Sequence, residues 1–140
     1  MEDAMYPTID QAIYNKLVGD SEVSTLVGMD VYALQAPSGT IEPYILFKQI
    51  GGGFEHTSPR PEIDITYRIE CVATSREEAE EGASAIYHAL HDQDLTIEGW
   101  NNYDTAGGGW YTLIDNVTGD VSFRVGGMYR IRADQIAIPT

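Results

Sequence analysis

The stretch Ile63-Asp64-Ile65-Thr66-Tyr67-Arg68-Ile69-Glu70-Cys71-Val72-Ala73, closed by Thr74-Ser75-Arg76-Glu77-Glu78, decides the fold. Ile63, Ile65, Tyr67, Ile69, Cys71 and Ala73 alternate with Asp64, Thr66, Arg68, Glu70 and Val72. Side chains of a strand point to opposite faces in turn, so this pattern predicts a strand packed on one face and polar on the other. Ser75 and Glu78 have the spacing of a capping box, which opens a helix. That helix is expected to run to about His91, with Ala79, Ala83, Ile86, Tyr87 and Leu90 as its buried stripe. Glu77, Glu78, Glu80 and Glu81 crowd its first turns, where the positive end of the helix dipole favours carboxylates.

Upstream, Met1–Tyr6 shows no pattern, and residues 1–7 are expected to be loose. Thr8-Ile9-Asp10-Gln11 has helix-start spacing, and Ile9, Ile13 and Leu17 make one apolar stripe that Gly19 ends. A short second helical turn is predicted after Ser21, carrying Val23, Leu26 and Val27 and stopped by Gly28. Val31–Leu34 reads as a short strand. A Pro- and Gly-bearing loop separates it from a strand over Tyr44–Ile50. Gly51-Gly52-Gly53 is expected to end that strand and to open a long mobile loop to Glu62.

Downstream, Leu95–Trp100 reads as a strand, Asn101–Gly109 as a polar glycine-rich loop, and Trp110–Ile114 as another strand. Asn116–Asp120 reads as a turn. A last strand covers Val121 to about Ala133, with Gly126-Gly127 suggesting a bulge. The expected class is α+β: an antiparallel sheet with one long and one or two short helices packed on one side. At 140 residues the chain is expected to be one domain, residues 1–140.

Composition narrows function. Eight basic residues against 22 acidic give a net charge of −14. Sequence-independent nucleic-acid binding needs Lys and Arg on phosphates, and docking on anionic membranes needs them on headgroups. Both are disfavoured. No apolar run exceeds four residues, so neither a membrane span nor a signal-peptide core is expected. One cysteine, Cys71, rules out an internal disulfide. The charge is polarised along the chain: Glu77–Asp120 holds ten carboxylates and no Lys or Arg, whereas Val121 onward holds Arg124, Arg130 and Arg132 against Asp134 alone. This reads as a solvated helix face, as charge complementarity between copies, or as a channel wall that repels DNA and does not hold it.

Chemistry is hard to find. Neither glycine triplet precedes a helix or a Gly-Lys-Ser/Thr, so neither makes a phosphate loop. His88 and His91 share a helix face and are the candidate metal ligands, but no third ligand is marked. No cofactor is implied. Cys71 sits mid-strand on the apolar side, where a thiol packs. No nucleophile elbow exists. The expectation is a protein without enzymatic activity. Tyr103, Trp110 and Tyr111 lie in or beside the second glycine-rich segment, as lids on the core or as anchors for a partner.

Order and spacing then carry a resemblance. A short N-terminal helix precedes Val31-Tyr32, Ala36-Pro37-Ser38-Gly39-Thr40 and Pro43-Tyr44-Ile45. Then come Tyr67-Arg68-Ile69-Glu70-Cys71-Val72-Ala73, Ser75, and a helix with Glu78-Ala79, Ala83, Ile86 and Ala89-Leu90. Over roughly residues 8–98 this resembles the tail completion or tail terminator (tail-to-head joining) proteins of long-tailed bacteriophages. The resemblance implies a structural virion protein of the phage tail or neck, assembled in the bacterial host cytoplasm. It implies a ring, typically of six copies, on the head-proximal end of the tail tube. The ring halts tube polymerisation and meets the head connector or stopper; DNA passes through unbound. Its partners are other copies of itself, the tube protein and the connector. On this reading Glu77, Glu78 and Glu81 of one copy face the Arg124, Arg130 and Arg132 edge of the next. Glu55, His56, Arg60, Tyr103, Trp110 and Tyr111 are the candidate partner contacts. The rival readings are another neck or tube component, and a small ligand-binding or enzymatic α+β domain.

Overall fold

The computed structural model describes residues 5–55, 62–117 and 120–135. Helices α1 (Met5–Val18) and α2 (Ser21–Val27) precede strands β1 (Val31–Ala33), β2 (Tyr44–Glu55) and β3 (Glu62–Ala73). Helix α3 (Arg76–Leu90) follows, then β4 (Thr96–Ile97), β5 (Trp100–Val117) and β6 (Asp120–Gln135). The six strands form one sheet in the order β1-β2-β3-β6-β5-β4.

The alternating stretch is the predicted strand, β3, and it lies inside the sheet between β2 and β6. Ile63, Ile65, Tyr67, Ile69 and Cys71 pack beneath the helices with Ile45 and Phe47 of β2 and Tyr129, Ile131 and Ala133 of β6. Ile9, Ile13 and Leu17 of α1, Val23 and Val27 of α2, and Ile86 and Leu90 of α3 cover them. Burying each such aliphatic side chain stabilises the fold by roughly 1.5–3 kcal/mol. Tyr67 adds a polar tie: its buried O–H donates to Asp10 Oδ1 at 2.5 Å and pins α1 to the sheet. Cys71 packs against Gly82 of α3, and burial pushes its thiol up to about 12, so it is a core group and not a nucleophile.

The helix ends follow their caps. Ser75 Oγ accepts the Glu78 N–H at 3.2 Å, as the capping spacing predicts, and Asp20 caps α2 in the same way through the Val23 N–H. The first helix departs from expectation. It opens at Met5, not at Thr8, with Pro7 in its first turn, where a missing N–H costs no hydrogen bond. Residues 1–4 lie outside the described residues.

The sheet is mixed where a wholly antiparallel one was expected. β1 pairs parallel with β2, Val31 beside Ile45, because residues 34–43 are long enough to return the chain to the same end of the sheet. The remaining pairs are antiparallel. Both glycine triplets also lie inside strands. Gly51–Gly53 continues β2 beside β3, after a bulge between Gln49 and Gly51. Gly52 has φ +92°, and a Cβ there would sit 2.1 Å from the Asp64 carbonyl oxygen, so glycine permits the close strand approach. The expected loop at Asn101–Gly109 is the first half of β5. The bulge expected at Gly126-Gly127 lies instead in the facing strand: Gly109 and Trp110 of β5 stand against Gly127, with Gly109 at φ +61°.

Candidate assembly surface

The helices cover one face of the sheet, and the other face carries the polar half of the alternation. Register places Asp64, Thr66, Arg68 and Glu70 of β3 beside Arg132, Arg130, Met128 and Gly126 of β6. Asp104, Tyr111, Leu113 and Asp115 of β5 flank them. The result is a ladder of ion pairs. Arg130 grips Asp64 through both ends of its guanidinium, with Nε 2.7 Å from Oδ1. That hydrogen bond holds the Asp64 carboxyl below its ordinary range. Arg132 donates to Asp104 Oδ2 from Nη2 at 2.7 Å and from Nε at 3.0 Å.

Glu70 is the centre of the ladder and is only 4% exposed. It accepts from Tyr111 O–H at 2.6 Å, from Arg124 Nη1 at 2.8 Å and from Arg68 Nε at 3.2 Å. Arg124 also pairs with Asp115, and Arg68 lies over the Tyr111 ring, 4.7 Å from its centroid. Burial, then the Glu70 contact, pushes the Tyr111 phenol up, so it stays a donor. The network needs Gly126: a Cβ there would stand 2.7 Å from Glu70 Cβ. Beside it, Leu34, Leu46, Phe47, Lys48, Arg68, Glu70 and Arg124 line a concavity of about 160 Å³.

The two long hairpins leave opposite ends of the sheet. β2 and β3 join at the end marked by the Glu55/Glu62 pair, and β5 and β6 join at the end marked by Val117/Asp120. The β5–β6 end runs past the last β3 pair, Ala73/Phe123; Leu113 and Ile114 beside the last β3 pairs and Val121 beyond them are exposed. On the helix side a second, open groove of about 510 Å³ runs between α3 and β5, floored by Ala83 and Val125 and flanked by Tyr87 and Trp110.

A family model for the tail completion protein gp17 matches residues 11–106, more than half of the chain. The chain belongs to this tail completion family. No curated protein matches by sequence. Among solved structures, a chain from the virion of a native gene transfer agent particle superposes with TM-score 0.74 at 19% identity, covering 95% of this chain and 99% of that one. The bacteriophage SPP1 gp17 protein superposes with TM-score 0.50 at 18% identity, covering 96% and 92%. At these identities the likeness is one of fold. The family is a structural one of the phage tail.

The residues singled out in the sequence are dispersed over this tail completion protein. Arg124, Arg130 and Arg132 form no edge: β6 is an interior strand, and each of them is paired with a carboxylate of its own chain. The acidic stretch does not form one surface either. Glu77, Glu78 and Glu81 stand on α3, whereas Asp104 and Asp115 lie on the far face of the sheet in the arginine ladder. Tyr103, Trp110 and Tyr111 do not cluster. Tyr103 O–H donates to Glu62 at 2.8 Å, Tyr111 serves Glu70, and Trp110 points to the helix side, its ring 5.0 Å from that of Tyr87. Trp110 is 54% exposed, whereas Tyr111 is held on the helix-free face by Glu70 and Arg68, away from the core.

His88 and His91 diverge. His88 Nδ1 lies 3.5 Å from Glu22 of α2, whereas His91 stacks on Tyr87 and its Nδ1 accepts the Gly107 N–H at 3.1 Å. Among the described residues no three His, Cys, Asp or Glu side chains gather around one point. Glu55 closes β2; His56 and Arg60 lie outside the described residues. Sequence reasoning passed over Lys48 and Glu70. Arg68 and Glu70 are two apart on a strand, hence on one face, which was the legible signal; Arg124 and Tyr111 join them only through the fold.

Proposed function

We propose that this tail completion protein forms a closed ring of six copies on the head-proximal end of a long phage tail. There it stops tube growth and joins the tube to the head connector. The family match over residues 11–106 carries this reading. The hairpins at opposite ends of the sheet support it, since a joining ring needs two axial faces, one for the tube and one for the connector. The β2–β3 connection, with Glu55, His56 and Arg60, is assigned to one of these faces, and the β5–β6 hairpin to the other. Closure requires a head-to-tail contact between two different surfaces of each copy. Negative-stain imaging of the purified protein, alone and with purified tail tubes, is the test. Closed rings of uniform size, free or seated on one end of the tube, are expected. A protein that stays monomeric and ignores tube ends overturns the reading.

A further inference from the structure

We infer that the concavity at Lys48 and Arg68 is the receptor for a carboxylate of a second copy, supplied by the first turns of its α3; the inference rests on the ring reading above. Four arginines on the helix-free face have an in-chain carboxylate, but Lys48 has none among the described residues. Lys48 stands directly opposite Arg68 across the β2–β3 pair. Like charges so placed destabilise a sheet, and among the described residues the carboxylate that answers them, Glu70, pairs with Arg68 and not with Lys48. Lys48, Arg68 and Arg124 against Glu70 and Asp115 leave one positive charge around the concavity, on a molecule whose net charge is −14. Leu34 forms the rim. It is 71% exposed and is held at φ +68°, a strained backbone for a leucine, and it adds an apolar side chain to a lining that holds the cations.

The space, about 160 Å³, suits one carboxylate side chain and not a large ligand. The carboxylates that would fill it are on the same molecule but out of its own reach. Glu77, Glu78 and Glu81 sit on α3, across the sheet from Lys48, and have no ion pair among the described residues. A helix face that meets the back of the next sheet is a head-to-tail contact, which is what a ring needs. The desolvated pair would fix register and orientation between copies.

Lys48→Glu tests this on the full chain. Sedimentation velocity, with tubes present if the ring needs them, should show assembly weakened about tenfold or more. The same substitution removes the Lys48/Arg68 opposition, so thermal stability of the monomer should hold or rise. A second charge reversal, Glu77→Lys, Glu78→Lys or Glu81→Lys, placed in the Lys48→Glu chain should restore assembly at one position at least. Wild-type-like rings from Lys48→Glu overturn the inference and leave the ring standing. Weakened rings that none of the three reversals restores overturn it too. A short DNA duplex bound by the wild type and released by Lys48→Glu, with rings intact, would assign the concavity to phosphate. A wild type that never assembles, even on tubes, removes the ring and this contact together.

Discussion

Glu70 shows how one side chain organises a face. Three donors converge on it, and Gly126 gives it room. A buried carboxylate is costly to desolvate, and here the charge-assisted bonds offset that cost. Removing it leaves Arg68 with the Tyr111 hydroxyl but no carboxylate, Arg124 with Asp115 alone, and the Tyr111 O–H without its acceptor. Glu70→Ala is therefore expected to lower stability by about 3 kcal/mol, at the low end for a broken buried pair because both guanidinium groups keep some contact with water. Urea unfolding measures this. A loss under about 1 kcal/mol would mean that the network is ornamental.

The elements are joined by close approaches that few residue types allow. Helix α3 lies so near β3 that a Cβ on Gly82 would stand 2.2 Å from Cys71 Sγ. In an isolated helix Gly82→Ala would gain about 1 kcal/mol of propensity. Here the overlap pushes α3 off the sheet, and a net loss of about 1–3 kcal/mol is expected. Thermal unfolding of Gly82→Ala decides between the two; a stabilised variant would show that α3 can shift freely. The helix itself was legible: Ser75 caps it, and Ala79, Ala83, Ile86 and Leu90 are buried as their spacing requires. The glycine triplets were misread for a physical reason. Glycine marks both loops and strands that pass close to another backbone, and local sequence does not distinguish them.

The whole molecule is a sheet with helices on one side, ion pairs on the other and a hairpin at each end. The β5–β6 hairpin exposes Ile114 (64%) and Val121 (42%), which contribute little to the core. Replacing both with serine should leave stability within about 0.5 kcal/mol, as surface changes usually do. If this hairpin is a joining face, the double variant should lose attachment at one end, to the tube or to the connector. Co-sedimentation of the variant with each partner, beside its melting curve, reads both effects. Full attachment to both would move the joining face elsewhere.

Sequence by itself determined the parts set by local chemistry. Alternation made β3, capping residues opened α2 and α3, and the order of these elements carried the family resemblance that the match over residues 11–106 then bore out. It also determined the −14 charge. The tertiary structure decided which charges are already paired. Asp104 and Asp115 are far along the chain from Glu77, and β5 carries them to the opposite face, where Arg132 and Arg124 take them. Arg130 likewise finds Asp64 through the β3–β6 register. A charge run in sequence is a surface only if its residues stay on one element; here a helix, a turn and a bulged strand divided it. Lys48 was left facing Arg68 for the same reason, since pairing across strands is fixed by register and register is not a local property.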